Sequence, residues 1–256
     1  MADVPALRLP RSVLAALWLP RVRDLGSVTR ASAAITGDDE PHVAVLGRTQ
    51  LNLAGLFATV SPPTVVGAAL PAPGSLGGAP GAVAAEALAA GECLVVAARQ
   101  TAWVAVPEVR RFGSHLEAGA RVSWSVTEAP GAERGLLASL GSLSDARAGL
   151  VRALHQATDL LTQLDIGRRG PEAELVEQLH LPLGWPLPPD LEPDRLDMLG
   201  RAARLLAVVE LARRAKSAAV SARQEDRRSA ALREVESAAR LAMSAATAYV
   251  HIAPDG

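Results

Sequence analysis

The chain has 256 residues, of which 49% are hydrophobic and 21% are charged, and its formal net charge is −1. This composition excludes a disordered chain, because it has enough apolar residues to form a core, and the near-neutral charge argues against nucleic acid as the main partner. The single cysteine, Cys93, excludes an intramolecular disulfide and a thiolate metal cluster.

The N-terminal segment predicts short helices and no targeting signal. Prolines at positions 5, 10 and 20 interrupt it, and no apolar stretch leads to a small-residue cleavage site. We therefore expect no signal peptide and predict a cytoplasmic location. Helices are predicted over Ser12–Leu19, where Pro20 ends the pattern, and over Thr29–Thr36.

The first half of the chain also predicts a sheet. Apolar and β-branched runs mark the candidate strands His42–Leu46, Thr64–Leu70, Glu92–Ala98, Thr101–Val106 and Arg121–Thr127. Two residues separate the third run from the fourth, which predicts a tight hairpin. In the last run, Ser123 and Ser125 alternate with apolar residues, so one face should be buried and the other wetter. We predict an α+β domain over residues 1–130, with a mixed or antiparallel sheet and short helices.

A run of 37 positions, Thr49–Ala85, contains no charged residue. Pro62 and Pro63 lie in its middle, and because proline interrupts a helix, we predict no membrane span. The interpretation that we favour is a helix over residues 50–59, a turn and a buried strand. The alternative is an exposed, uncharged surface that binds a partner or an apolar ligand.

The second half of the chain predicts a helical bundle over residues 131–256. Apolar residues recur at helical spacing, and Ser142 with Asp145 resembles a capping box at a helix start. The three main helices are predicted at about 143–165, 194–216 and 222–250. Residues 181–193 contain five prolines, which predicts an extended connection.

One acidic cluster is a candidate polar site, and it consists of Asp38, Asp39, Glu40 and His42. Carboxylate oxygens with an imidazole would suit Mg²⁺ or Mn²⁺. Adjacent residues cannot all face one ion, however, and Gly37 followed by two aspartates is typical of a turn. We favour the solvated turn, and we predict no bound metal and no cofactor.

A basic cluster surrounds the predicted break between the last two helices. Its members are Arg213, Arg214, Lys216, Arg223, Arg227 and Arg228. We favour a solvated helix corner in which the arginine stems lie over the bundle. The alternative is an anion site or a docking patch for an acidic partner.

The chain contains no complete catalytic motif. The glycine-rich stretch Gly74–Gly81 follows a predicted strand, but it matches no phosphate-loop pattern. Our first hypothesis is therefore a non-catalytic interaction, regulatory or scaffold protein that binds a protein partner or a second copy of itself. The alternative hypothesis is an enzyme that binds a small molecule or an anion where the loops 37–42 and 71–81 meet.

Overall fold

The computed structural model describes residue 7 and residues 9–98, 101–113, 118–163, 185–214 and 222–251. Contacts among residues divide the chain into two compact units. The sheet unit comprises Pro10–Gly141, Pro186–Leu191 and the segment that begins at Thr247. The helical unit contains the described residues of Ser142–Trp185 and of Glu192–Ala246.

Within the described residues, the chain is a mixed α/β protein with one mixed sheet of seven strands. The strands are β1 (Val43–Leu46), β2 (Thr49–Asn52), β3 (Pro63–Ala69), β4 (Cys93–Ala98), β5 (Thr101–Gly113), β6 (Ala118–Glu128) and β7 (Tyr249–Val250). Their order across the sheet is β2-β1-β6-β5-β4-β3-β7, and only β1 and β6 run parallel. The predicted hairpin is confirmed, because Ala98 pairs with Thr101.

Helices flank the sheet and form the helical unit. The sheet unit contains α1 (Arg11–Trp18), α2 (Leu25–Thr36), α3 (Leu53–Val60), α4 (Ala84–Ala90) and α5 (Ala132–Leu140). The helical unit contains α6 (Leu143–Gln163), α7 (Pro193–Arg214) and α8 (Ala222–Thr247). Among the described helices, none combines the length and the apolar composition that crossing a membrane requires.

The two faces of the sheet carry different helices. Cys93, Val95 and Ala97 of β4 point toward the face on which Ala87 of α4 and Leu136 of α5 are buried. The intervening residues of β4 point to the opposite face, where α1 packs on β3, β4 and β5 and α3 packs near β1 and β2. Because α5 packs on the sheet, the compact unit that contains it extends to Gly141, past the predicted boundary at residue 130.

The charge-free run is buried mainly along α3 and β3, is exposed or half-buried over most of the rest, and does not begin as a helix. The prediction of a helix over residues 50–59 is wrong at its start, because Thr49–Asn52 pairs with β1 as a strand and α3 begins at Leu53. Asn52 then caps α3, since its side chain accepts a hydrogen bond from the Gly55 amide at 2.8 Å. Most of β3 and one side of α3 are buried, as the favoured interpretation expects.

The last helix ends earlier than predicted. It ends at Thr247 rather than at about residue 250, because Tyr249 and Val250 pair with β3 as an edge strand of the sheet. In the helical unit, Arg147 of α6 forms an ion pair with Asp194 of α7, and Arg195 donates a hydrogen bond to the carbonyl of Ala246 in α8. The predicted break between the last two helices, at 217–221, lies outside the described residues.

Candidate functional site

The acidic cluster separates into a buried pair and an exposed pair. Asp39 and His42 lie together, with Asp39 Oδ2 at 3.3 Å from His42 Nε2 and with the His42 side chain completely buried. Asp38 is exposed, and Glu40 forms a surface ion pair with Arg121 at 2.9 Å. The four residues therefore do not face one common point.

The buried histidine is held in one tautomer. The indole N–H of Trp124 in β6 donates to His42 Nδ1 at 3.2 Å. An indole nitrogen is only a donor, so Nδ1 must be the unprotonated acceptor and the proton of the neutral ring lies on Nε2. That N–H points to Asp39. Burial lowers the pKa of His42, and the bond to Asp39 offsets only part of this effect.

A cation from the first turn of α1 completes this arrangement. Arg11 Nε and Nη2 lie 2.7 and 2.6 Å from Asp39 Oδ2, and the Asp39 side chain is only 9% exposed. We call the four connected side chains, Arg11, Asp39, His42 and Trp124, the buried relay. It joins α1, the connection before β1, and β6, which are distant in sequence.

A second buried carboxylate lies beside the relay. Glu92, which precedes β4, accepts a hydrogen bond from the backbone amide of Ser12 at 2.7 Å. Burial raises the pKa of Glu92, although the Ser12 amide and the charge of Arg11 counteract part of the rise. A free amide at a helix N-terminus is a favourable partner for a carboxylate. Glu92 therefore anchors the start of α1 to the sheet.

The relay is chemically suited to hold structure rather than to bind a metal. Both nitrogens of His42 are engaged, and Arg11 occupies the Asp39 oxygen that faces the ring. Among the residues that the structure describes, no three His, Cys, Asp or Glu side chains come together as a metal site. Sequence analysis proposed Asp39 and His42 but missed Arg11, Glu92 and Trp124, since no local pattern links them.

The loops 37–42 and 71–81 lie at the same end of the strands, because β1 begins at the end of the sheet where β3 finishes. The order of the strands places four interstrand steps between β1 and β3, or roughly 19 Å at about 4.8 Å per step. The glycine-rich stretch packs on α5, because a Cβ at Gly78 would lie 2.3 Å from Ser139 Oγ. The relay lies on the other face, beside α1.

One face of the sheet is only partly covered. Helices α4 and α5 cover β3, β4 and the start of β5, whereas side chains on the same face of β1, β6 and the rest of β5 are exposed or half-buried. We call this surface the open face, and it consists of Val43, Val45, Glu108, Arg110, Phe112, Arg121, Ser123 and Ser125. Phe112 is 46% exposed, and Arg110 forms an exposed ion pair with Glu108.

The described members of the basic cluster are largely engaged within the helical unit. Arg213 forms an ion pair with Glu236 at 2.5 Å, and Arg228 pairs with Glu225 and donates to the carbonyl of Ala212. Arg227 is exposed. Lys216 and the side chains of Arg214 and Arg223 lie outside the described part of the chain.

The lone cysteine is part of the core. Cys93 is completely buried, and burial raises the pKa of its thiol to about 12. Because the thiolate is the reactive form of cysteine, this environment disfavours nucleophilic chemistry. Cys93 packs with Val95 and Leu136 between the sheet and α5.

Comparison with protein families places this two-part α/β chain in one group. The model of the N-terminal domain of Rv1486c-like proteins matches residues 12–137, and the model of their C-terminal domain matches residues 144–244. The chain therefore belongs to the Rv1486c-like proteins. Searches among curated proteins and among solved structures returned no match.

Proposed function

We propose that this chain is a non-catalytic interaction protein that binds a protein partner through the open face. The proposal rests on the incomplete cover of one face of the sheet. Helices bury this face over β3 and β4, whereas it is accessible over β1, β6 and the end of β5. A sheet face that mixes valine and phenylalanine with serine and paired charges is chemically suited to a protein surface.

The shape of the open face supports a macromolecular partner over a small ligand. Val43, Val45 and Ser125 lie on neighbouring strands in register, so their side chains lie side by side on the surface of the sheet. Small-molecule sites are typically concave and enclose most of the ligand. The open face continues onto the end of the β5–β6 hairpin, where Phe112 lies over Gly119.

The polar side chains of the buried relay already have partners within the protein, which favours this proposal over the alternative of an enzyme. In the buried relay, His42 and Asp39 each bind other side chains of the chain. A general base or a metal ligand needs a lone pair that can reach a substrate or an ion. The loops 37–42 and 71–81 lie at the same end of the strands but roughly 19 Å apart across the sheet and toward opposite faces, which does not favour a shared site.

We further propose that α6, α7 and α8 form a three-helix bundle that acts as the scaffold part of the protein. The bond from Arg195 to Ala246 links the start of α7 to the end of α8, which supports antiparallel packing of these two helices. The ion pair between Arg147 and Asp194 links the start of α6 to the start of α7, which supports contact between these two helices as well. Since Arg213 and Arg228 pair with glutamates of α8, the basic cluster serves the packing of the helices better than the docking of an acidic partner.

Site-specific photo-crosslinking of the full-length protein tests the proposal. A benzophenone amino acid replaces Ser125 on the open face in one variant. In the matched control it replaces Arg111, an exposed residue on the opposite face of β5. We expect specific adducts, with a second copy or with one partner protein, from position 125 and not from position 111. Equal labelling at both positions, or none from position 125, would overturn the proposal.

A ligand panel distinguishes the enzyme alternative. Thermal unfolding is measured with Mg²⁺, Mn²⁺, Zn²⁺, nucleotides and phosphate, because a ligand that binds only the folded state raises its melting temperature. We expect no saturable stabilisation. A saturable shift that disappears in both Asp39→Ala and His42→Ala would support the enzyme instead.

A further inference from the structure

The buried relay connects three separate parts of the sheet unit through one histidine. His42 lies in the connection between α2 and β1, Trp124 lies in β6, and Asp39 is held by Arg11 of α1. The His42 side chain has no exposed surface, so each of its polar contacts is made inside the protein. Any change in its hydrogen bonding must therefore be met by movement of these parts.

A second proton on His42 would have only one position to occupy. In the neutral ring the proton is on Nε2, toward Asp39, and Nδ1 accepts from Trp124. Protonation would place an N–H on Nδ1, where it would face the indole N–H at a separation of 3.2 Å between the nitrogens. Two donors cannot share a hydrogen bond, so the bond between β6 and the connection would break.

We propose that the buried relay is an acid-sensitive latch, which releases the 37–42 connection from Trp124 of β6 when His42 binds a proton. This inference does not depend on the proposed binding role of the open face. It does predict an effect close to it, because the Glu40 amide in this connection donates to the carbonyl of Ala120, near the end of the β5–β6 hairpin.

The charges around His42 determine when the latch opens. Asp39 favours the protonated ring, but Arg11 already forms an ion pair with Asp39 and itself disfavours a second cation. Glu92 approaches Arg11 from the start of β4, and the Glu40–Arg121 pair lies on the exposed side of the connection. Burial lowers the pKa of His42 overall, so the latch should stay closed at neutral pH and open only in acidic solution.

Hydrogen–deuterium exchange of the Trp124 indole N–H, followed by NMR on the full-length protein, tests the latch. The control is His42→Asn, whose side-chain oxygen can still accept from Trp124 but which cannot titrate. The exchange rate of the native protein is divided by that of the control at the same pH, which removes the intrinsic pH dependence of exchange. We expect the ratio to rise by about tenfold or more between about pH 7.5 and 5.0, since each linked proton changes the opening constant by up to about tenfold per pH unit. A constant ratio would overturn the proposal.

A second variant keeps the test decisive if His42→Asn does not fold. Trp124→Phe removes the indole donor, so protonation of His42 no longer brings two donors together. Urea unfolding of this variant should lose part of the destabilisation that the native protein shows between about pH 6.5 and 5.0. If the acid sensitivity of Trp124→Phe equals that of the native protein, the conflict between the two donors is not the cause and the latch is refuted.

Discussion

Replacement of Arg11 by methionine should reveal how strongly the buried relay depends on its cation. The methionine keeps the apolar stem and removes the guanidinium that lies 2.6 Å from Asp39 Oδ2. The side chains of Arg11 and Asp39 are 20% and 9% exposed, so the variant leaves a nearly buried carboxylate without a counterion. Breaking a buried ion pair from one side costs roughly 3–5 kcal/mol. Because Arg11 is partly hydrated, we expect the lower end, about 3 kcal/mol.

The loss should depend on pH in a defined direction. Glu92 also faces Arg11, and its pKa is already raised by burial, so removal of the guanidinium should raise it further. At low pH Glu92 binds a proton and no longer needs a cation. The loss of stability should therefore be largest near neutral pH and should shrink as the pH falls toward 4.

Thermal unfolding monitored by circular dichroism measures this effect. A loss of about 3 kcal/mol corresponds to a fall of roughly 6–12 °C in the melting temperature for a unit of this size. The matched control is Arg110→Met, because Arg110 forms an ion pair with Glu108 in which both side chains are mostly exposed. Such surface pairs contribute about 0–1 kcal/mol. Equal effects of the two substitutions, or an Arg11→Met loss that grows toward low pH, would refute the reasoning.

Two further substitutions test the surroundings of the relay and the glycine-rich loop. Because the pKa of Glu92 is raised in the folded state, that state binds more protons than the unfolded state between about pH 4.3 and the raised pKa, and stability falls as the pH rises through this range. Glu92→Gln should abolish this dependence of the unfolding free energy on pH, as measured by urea unfolding. An unchanged dependence would contradict the assignment. Gly78 and Gly74 both have φ +90°, but a Cβ at Gly78 would lie 2.3 Å from Ser139 Oγ, whereas a Cβ at Gly74 would meet no atom within 4 Å. Gly78→Ala should therefore lower the free energy of unfolding by roughly 1–3 kcal/mol more than Gly74→Ala does. Equal melting temperatures of the two glycine variants would show that the loop does not pack tightly on α5.

Periodic burial explains why much of the sheet could be predicted. In β6, Val122, Trp124 and Val126 are buried, whereas Ser123 is half-buried and Ser125 is exposed, as the alternation in the sequence predicts. One covered face imposes a period of two on any strand, and this signal is local. The hairpin between β4 and β5 was predictable for a similar reason, because only two residues connect two apolar runs.

The strands that were not predicted depend on pairing with another strand. Thr49–Asn52 is too short and too polar to be recognised as a strand, and it exists because β1 pairs with it across a tight connection in which Gly47 has φ +59°. Tyr249 and Val250 continue a helical pattern in sequence, but they pair with β3, nearly two hundred residues earlier. Pairing with another strand decides both cases: the partner of Thr49–Asn52 is the adjacent strand β1, and the partner of Tyr249 and Val250 is remote in sequence.

The buried relay also could not be predicted in full, because some of its members come from distant parts of the sequence. Asp39 and His42 attracted attention because they are neighbours in an acidic turn. Arg11 and Trp124 lie 28 and 82 positions away from the residues they contact, so only the folded chain brings them together. The sequence therefore indicated the place but not the chemistry, because the partners convert an apparent metal-binding turn into a closed, internally satisfied cluster.

The preference of this chain for arginine over lysine has a physical role in both units. Arg11 directs Nε and Nη2 to Asp39, and Arg240 directs the same two nitrogens to Glu236, which lies in α8 and also pairs with Arg213. Burial of Glu236 raises its pKa, but the arginine bonds outweigh that effect and lower it overall. A planar guanidinium can hold a carboxylate through two nitrogens at once, which a lysine ammonium cannot do. Since these arginines stabilise the interior of each unit, we expect the proposed partner to recognise the open face by shape and apolar contact rather than by excess positive charge.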